Sequence, residues 1–485
     1  MQRKYSAYLT VYLSLVFGIV LSLLFVLIEG AATGAARAQS ELVADLGLDS
    51  VFAEYNREVL NQYELFFMDA SYGSENGGIG MVEKHLMEYL DYNMNPESDL
   101  RLFGESTLLG LRCPYLEIEA ASFASDENGL VWKAQAVQYM KAIYGGDIIN
   151  TVKDHIDTVQ MNGWMDRDVA GEVIQQKQAF EEVLSEKGIV ESGAESAEGF
   201  SYKNISGLFD KIVGGGLLML VLPEGQSVSE AVVDGAPLFS ERKRNGTINR
   251  GTGLHEGAER PDGILDELIY DSYLMRKCGC YGKAKQEGRL QYQIEYILCG
   301  GDSDAANLRR SAELLFAVRA AANLTSLYAD SEKKSEVELV AEGICWLLAI
   351  PEFTDVLAFI LAGVWALAES AADVRHLLHG KKVPLMKQGS EWHTSLAGIF
   401  GGSFYGEDRE TAGLSYQDYL QVFLGVMDKN AKMARSLDVV EMDIRCTAGN
   451  RHFRMDQCID YLNVNFGFQD AGGRDFVFRR RMCYE

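Results

Sequence analysis

From Tyr5 to Ile28 the chain runs 24 residues without a charge, bounded by Arg3 and Lys4 before it and Glu29 after it. A helix rising about 1.5 Å per residue reaches roughly 36 Å over that run, enough for a hydrocarbon core of about 30 Å. A helix also satisfies its own backbone groups in lipid. Tyr5, Tyr8 and Tyr12 gather at the basic end, where aromatic rings favour the membrane interface. The pattern predicts a transmembrane helix over 5–28, with residues 1–4 cytoplasmic and everything after Glu29 outside, by the positive-inside rule. Ala36-Arg37-Ala38 resembles a signal-peptide cleavage site. The apolar run is longer than a signal core, however, and an uncleaved anchor is the expectation.

Past the span, Leu42, Leu46, Phe52, Tyr55, Val59, Tyr63 and Phe66 recur at mostly three- and four-residue steps. That spacing predicts one amphipathic, membrane-proximal helix over 29–73, packed by this stripe and ended by the breaker-rich loop 71–78. A short helix follows near Met81 to Tyr92, ending at Asn95-Pro96. Leu116, Ile118 and Ala120 alternate with Glu117, Glu119 and Ala121, the period of a strand over 115–123. The turn Asp126-Glu127-Asn128-Gly129 leads into a helix at 130–144, and 165–187 reads as a surface helix. Together these form an α+β segment, 74–188.

Residues 189–263 are rich in Gly, Ser and charge and are expected to be flexible. They include the apolar patch Leu217 to Leu222 and the basic run that opens at Arg242-Lys243-Arg244. Residues 264–435 form a helical segment. Its run Val356 to Ala368 has 13 uncharged residues, too few to span a bilayer, and is expected to be a buried core helix. In 436–485, Val440, Met442, Ile444 and Cys446 alternate with Glu441, Asp443 and Arg445. Leu462, Val464, Phe466 and Phe468 alternate with Asn463, Asn465 and Gly467. Both read as strands of an antiparallel meander with one buried face. The fold class is therefore α+β and mainly helical, its sheet built largely by the C-terminal strands. The apolar stripe after the anchor is expected to cover that sheet, with strand 115–123 extending it.

Composition narrows the function. The net charge is −25, and the chain beyond Lys4 carries all 70 acidic residues. Such a surface repels polyanions and argues against nucleic acid as a partner. The lipid bilayer is the expected partner through 5–28. Eight cysteines without a CxxC pair, and seven histidines without HExxH, offer no structural zinc pattern and suggest buried free thiols. His376 and His379 stand at a helix end before Gly380, where capping and the helix dipole explain them better than a metal does. Asp302-Ser303-Asp304 reads as a helix N-cap and lacks the later ligands of a calcium loop. Gly401-Gly402-Ser403-Phe404-Tyr405 departs from a nucleophile elbow at Tyr405, and Gly251-Thr252-Gly253 has no strand before it. Asn204, Asn245 and Asn323 match the glycosylation pattern, which has meaning only in a eukaryotic secretory route. No catalytic, cofactor-binding or metal-ligating residue is assigned.

Several stretches carry a resemblance. They are Tyr8 to Leu15, Ile28-Glu29-Gly30-Ala31, Val51 to Arg57 and Tyr63 to Phe67, then Asp126 to Gly129, Gln293 to Leu298 and Gly301 to Asp304. Trp365 to Ser370, Val383 to Lys387 and Glu441 to Arg445 complete the set. In this order the chain resembles a family of uncharacterised single-pass membrane proteins of clostridial-type Gram-positive bacteria, found near Flp/Tad-type pilus genes. The anchor resembles that of TadE/TadG-like pseudopilins, although no Gly-x4-Glu prepilin-peptidase motif precedes the span. The resemblance implies a non-enzymatic, plasma-membrane-anchored extracytoplasmic protein, accessory to Flp/Tad-type pilus or secretion assembly, with pilus or other membrane proteins as partners. The alternative is an anchored cell-surface hydrolase using acidic residues, which requires two carboxylates converging on a pocket.

Overall fold

A single helix, α1 (Gln2–Phe52), carries the apolar run and continues well beyond it. In this computed structural model, residues 2–75, 77–94, 110–144, 149–186, 228–400 and 412–484 are described. The end of the second helix at Asn95-Pro96, the patch at 217–222, Asn204 and the segment 401–405 lie outside them. The chain is mainly helical with one small antiparallel sheet. It divides into two units. One comprises Met1–Ala134, Asn245–Arg260 and Thr447–Glu485; the other comprises Gln135–Arg244 and Pro261–Cys446.

The first unit is a helix-on-sheet module. Its remaining elements are α2 (Arg57–Tyr63), β1 (Met68–Asp69), α3 (Ile79–Met94), β2 (Arg112–Phe123), β3 (Cys458–Gln469) and β4 (Asp475–Cys483). β3 is central. It pairs antiparallel with β2 (Ile118 opposite Val464), with β4 (Phe478 opposite Phe466), and briefly with β1 (Met68 opposite Ile459). The alternation along β3 sends Leu462, Val464, Phe466 and Phe468 to one buried face. α1 covers that face with Val43, Ala44, Leu48, Val51 and Phe52, and α3 adds Val82, Leu86 and Leu90 to the same core. The two ends of the chain therefore meet, and strand 112–123 lies in the same sheet, as the sequence pattern predicts.

The membrane-proximal helix, however, is not continuous to residue 73. α1 ends at Phe52, whose carbonyl accepts the Tyr484 hydroxyl at 2.7 Å. Asn56 then restarts the helix, its Oδ1 accepting the amides of Glu58 and Val59. The predicted stripe is packed only in part. Phe52, Val59 and Tyr63 are buried, but Leu42 and Leu46 are 57% and 41% exposed, and α1 packs there through Val43, Ala44, Leu48 and Val51.

The turn after β2 is left-handed at Glu127, Asn128 and Gly129. It opens α4 (Asp126–Tyr144). Asp126 accepts the backbone amides of Phe123, Gly251 and Gly253, and Glu127 pairs with Arg260 at 2.5 Å. Within the segment 189–263, residues 251–260 are thus held to the turn. A Cβ at Gly251 would stand 2.3 Å from Asp126 Oδ2 and 2.4 Å from the Ala121 carbonyl, so the close approach requires glycine.

The second unit adds α5 (Ile149–Met161), α6 (Val169–Glu186), α7 (Phe239–Asn245), α8 (Ile264–Lys277), α9 (Gln293–Cys299), α10 (Asp304–Ala329), α11 (Ser331–Leu347), α12 (Thr354–Leu378), α13 (Leu396–Phe400), α14 (Tyr416–Val426) and α15 (Lys429–Arg445). At its centre is α12, packed by α10, α11 and α6. Of its most apolar 18-residue window 72% is buried, against none for the N-terminal helix, so the run Val356 to Ala368 is a core helix. α6 is not a surface helix all round: Val169, Val173, Phe180 and Leu184 are buried. Ser303 caps α10 by accepting the Ala306 amide, as predicted for Asp302-Ser303-Asp304. Cys278, Cys280 and Cys345 are buried free thiols.

Two further expectations fail in this unit. Residues 436–446 are not a strand but the second half of α15, and the C-terminal sheet begins only at Cys458. The alternation misleads because Asp438, Glu441 and Asp443 are as buried as Val440, Met442 and Ile444. Burial here is all round, and each acid accepts hydrogen bonds from another element: Asp438 from Ser240 and Tyr296, Glu441 from Arg242, Asp443 from Lys285. The basic run likewise starts as a helix, α7, with Arg242 buried against Glu441 at 2.6 Å.

Candidate functional site

A group of charged side chains meets inside the second unit without reaching solvent. On α12, Glu369, Asp373 and His376 are spaced by four and three residues, one face of a helix. On α10, Arg319 and Asn323 are one turn apart. The segment after α12 contributes Lys387, His393 and Thr394. The side chains of Arg319, Asp373, Lys387 and Glu369 are all 0% exposed.

The bonding is dense. Arg319 donates to Asp373 Oδ2 at 2.9 Å, to the carbonyls of Pro384 and Leu385, to the Tyr419 hydroxyl and to Asn323 Oδ1. Asn323 donates to Asp373 Oδ2 at 2.9 Å and to Ser370. Lys387 Nζ donates to Asp373 Oδ1 at 2.5 Å and to Glu369 Oε1. Glu369 also accepts the amides of His393 and Thr394, each at 2.8 Å, and the Thr394 hydroxyl at 2.6 Å. Two cations face two carboxylates, which is what keeps buried charge tolerable. Burial pushes the Asp373 carboxyl up, but Lys387 and Arg319 outweigh it and hold it well below the usual carboxylate range. Burial, reinforced by His393, pushes His376 down to about 4. His376 is therefore neutral and turned to His393, 4.1 Å between rings, rather than charged at the helix end. Gly380, left-handed at φ 80°, does close the helix.

Ligand atoms of Glu369, Asp373 and His393 lie within 4.8 Å of one another, a spacing a metal would accept. The residues do not fit one as arranged. The ammonium of Lys387 stands against both carboxylates, and protein donors serve all four carboxylate oxygens. The pair Glu369–Asp373 also supplies the two converging carboxylates that a hydrolase needs, but within a solvent-free core rather than a pocket. A separate cleft of about 170 Å³ opens between α10, α11 and α12, lined by Leu327, Tyr328, Val337, Ala358 and Phe359.

A second buried network surrounds α15. Asp438 accepts the Ser240 amide and the Tyr296 hydroxyl; Glu441 accepts Arg242 and Arg445; Asp443 accepts Lys285 and Gln293. Glu295 Oε1 accepts the Tyr281 amide and the Tyr416 hydroxyl. Burial pushes the Glu295 carboxyl up to about 7.

Neither network was assigned from sequence. The signal was present in part: Glu369-x3-Asp373-x2-His376 repeats at helical spacing inside an otherwise apolar stretch, where charge is costly unless paired. Its partners Arg319 and Lys387 carry no local mark. Asn323, a glycosylation match by pattern, is wholly buried in the cluster and unavailable as an acceptor. The motifs Gln293 to Leu298, Trp365 to Ser370, Val383 to Lys387 and Glu441 to Arg445 contribute side chains or carbonyls to these buried networks. A family model described as "Family of unknown function (DUF5702)" matches residues 195–470, which takes in both networks and β3. No curated protein and no solved structure matches the chain.

Proposed function

The chain belongs to the DUF5702 family, a family of unknown function, and we propose that it is a non-enzymatic component of a bacterial cell envelope. It is held in the plasma membrane by residues 5–28 with its N-terminus cytoplasmic, and it is accessory to Flp/Tad-type pilus or secretion assembly. One observation carries this reading: α1 is unbroken from its apolar half into the half that covers an antiparallel sheet. A folded module is thereby coupled directly to the anchor rather than tethered by a linker, the helix-on-sheet arrangement of pilin-like proteins. Arg474 adds an ion pair to Glu29 at 3.5 Å, just past the apolar run. The hydrolase reading gains nothing comparable, because Glu369 and Asp373 are occupied by protein donors and closed to solvent.

The test is affinity capture of the detergent-solubilised full chain, with mass spectrometry of what comes with it. Pilus or secretion-assembly membrane proteins are the expected partners. Recovery of cell-wall polymers or their enzymes in place of such proteins would overturn the reading.

A further inference from the structure

Among the buried charges, Lys387 and Glu369 stand apart from the other pair. Arg319 and Asn323 both bond Asp373 Oδ2, so that carboxylate is locked as the partner of a permanent cation. Lys387 Nζ donates directly to Glu369 Oε1, which gives a proton a path between them. Moving it from Nζ to Oε1 leaves a neutral amine beside a neutral carboxylic acid and uncovers no charge, since Arg319 and Asp373 still balance. A neutral amine is a nucleophile, and a carboxylic acid carbon is its electrophile.

The surroundings match that reaction. The Thr394 amide and hydroxyl point at Glu369 Oε2, where negative charge develops when a nucleophile adds to the carboxyl carbon, and the His393 amide points at Oε1, the oxygen that departs. Asp373 Oδ1 is hydrogen-bonded to the nucleophile at 2.5 Å, within reach as a base. Trp365 and Trp392 are buried beside the group, and Lys387 Nζ lies 6.0 Å from the Trp392 ring centre.

We propose that Lys387 and Glu369 are a self-modification site that joins them through an intramolecular isopeptide bond. The Lys387 ammonium gives one proton to Glu369 Oε1, and Nζ attacks the Glu369 carboxyl carbon. Asp373 takes a second proton from Nζ and passes it to the departing oxygen. The C–N bond forms, the C–O bond breaks, and one water leaves. No oxidant or cofactor enters, and Asp373 ends as it began, ionised against Arg319. The product staples the segment after α12 to that helix, a covalent reinforcement of the core of the second unit.

The experiment is the intact mass of the full chain, extracted in detergent and measured denatured. The expected mass is lower than the sequence mass by one water. Proteolysis should yield a branched peptide joining the segments of Glu369 and Lys387. Lys387→Arg keeps the positive charge but has no attacking amine, and its mass should equal its sequence mass. Asp373→Asn keeps both reacting groups and should leave most of the chain unjoined. Wild-type protein at its full sequence mass overturns the proposal whatever the variants do. So does a branch from Lys387 to any carboxyl other than that of Glu369.

Discussion

At the scale of the residue, the second unit is held by charges that are individually expensive and collectively balanced. Glu295 shows the pH consequence. Its carboxyl is raised from 4.5 to about 7, by burial first, against the pull of its hydrogen bonds. The folded state therefore keeps a proton that the unfolded chain has released. The resulting stability is fully present below about 4.5 and is lost as pH rises through about 7. Asp438 and Asp69, each raised to about 6 chiefly by burial, act in the same direction. Asp373 acts oppositely, its contribution falling away only in strong acid. Urea unfolding across this window should show stability declining with pH, the Glu295 share being on the order of 3 kcal/mol. Glu295→Gln should flatten the decline; an unchanged slope would show that Glu295 does not titrate there. Arg242→Ala should be costly by a different route. It leaves the fully buried Glu441 with Arg445 as its remaining cation, and breaking a buried pair typically costs about 3–5 kcal/mol. A drop in Tm of only a degree or two would show that Arg445 suffices.

At the scale of the element, α1 and β3 stabilise each other although they lie at opposite ends of the sequence. Phe52 and Phe466 belong to one buried core. Each truncation to Ala should cost roughly 3–5 kcal/mol. The double mutant should depart from additivity by at least about 0.5 kcal/mol if the cavities merge. Strict additivity in urea titrations would show that the two rings act separately. The clasp between the Asp126 turn and residues 251–253 predicts a local effect. Gly251→Ala drives a methyl into Asp126 and the Ala121 carbonyl, so hydrogen exchange should accelerate at the Gly251 and Gly253 amides.

At the scale of the whole molecule, the predictions concern the anchor. α12 is apolar and long but mostly buried, so a chain starting at Gly30 should stay in solution without detergent. Starting ten residues later would remove the fully buried Ala36 and leave the buried Ser40 at the new terminus. Partitioning of the Gly30 chain into membranes would mean that a second segment enters the bilayer. For orientation, Ser74 is exposed on the first unit. Ser74→Cys in a cysteine-free background should react with an impermeant maleimide on intact cells. Protection until lysis would reverse the proposed topology.

Features that depend on neighbours along the chain were legible in the residues alone. An uncharged run of sufficient length announces a helix fit for a bilayer. The Leu462 to Phe468 alternation announces a half-buried strand, because one face packs on the core while the Asn side chains turn the other way. Ser303 and Gly380 announce helix ends, because backbone groups there need a cap within a few residues. The remaining features depend on how distant segments pack. Period-2 alternation reports inside and outside only where polar residues reach water. Along 438–444 the acids are buried with the apolar residues, satisfied by Ser240, Arg242, Lys285 and Gln293, and the same letters form a helix. Likewise nothing near Glu369 names Lys387 or Arg319 as its company. That assignment rests on where α10, α12 and the segment beyond it pack, which no local pattern encodes.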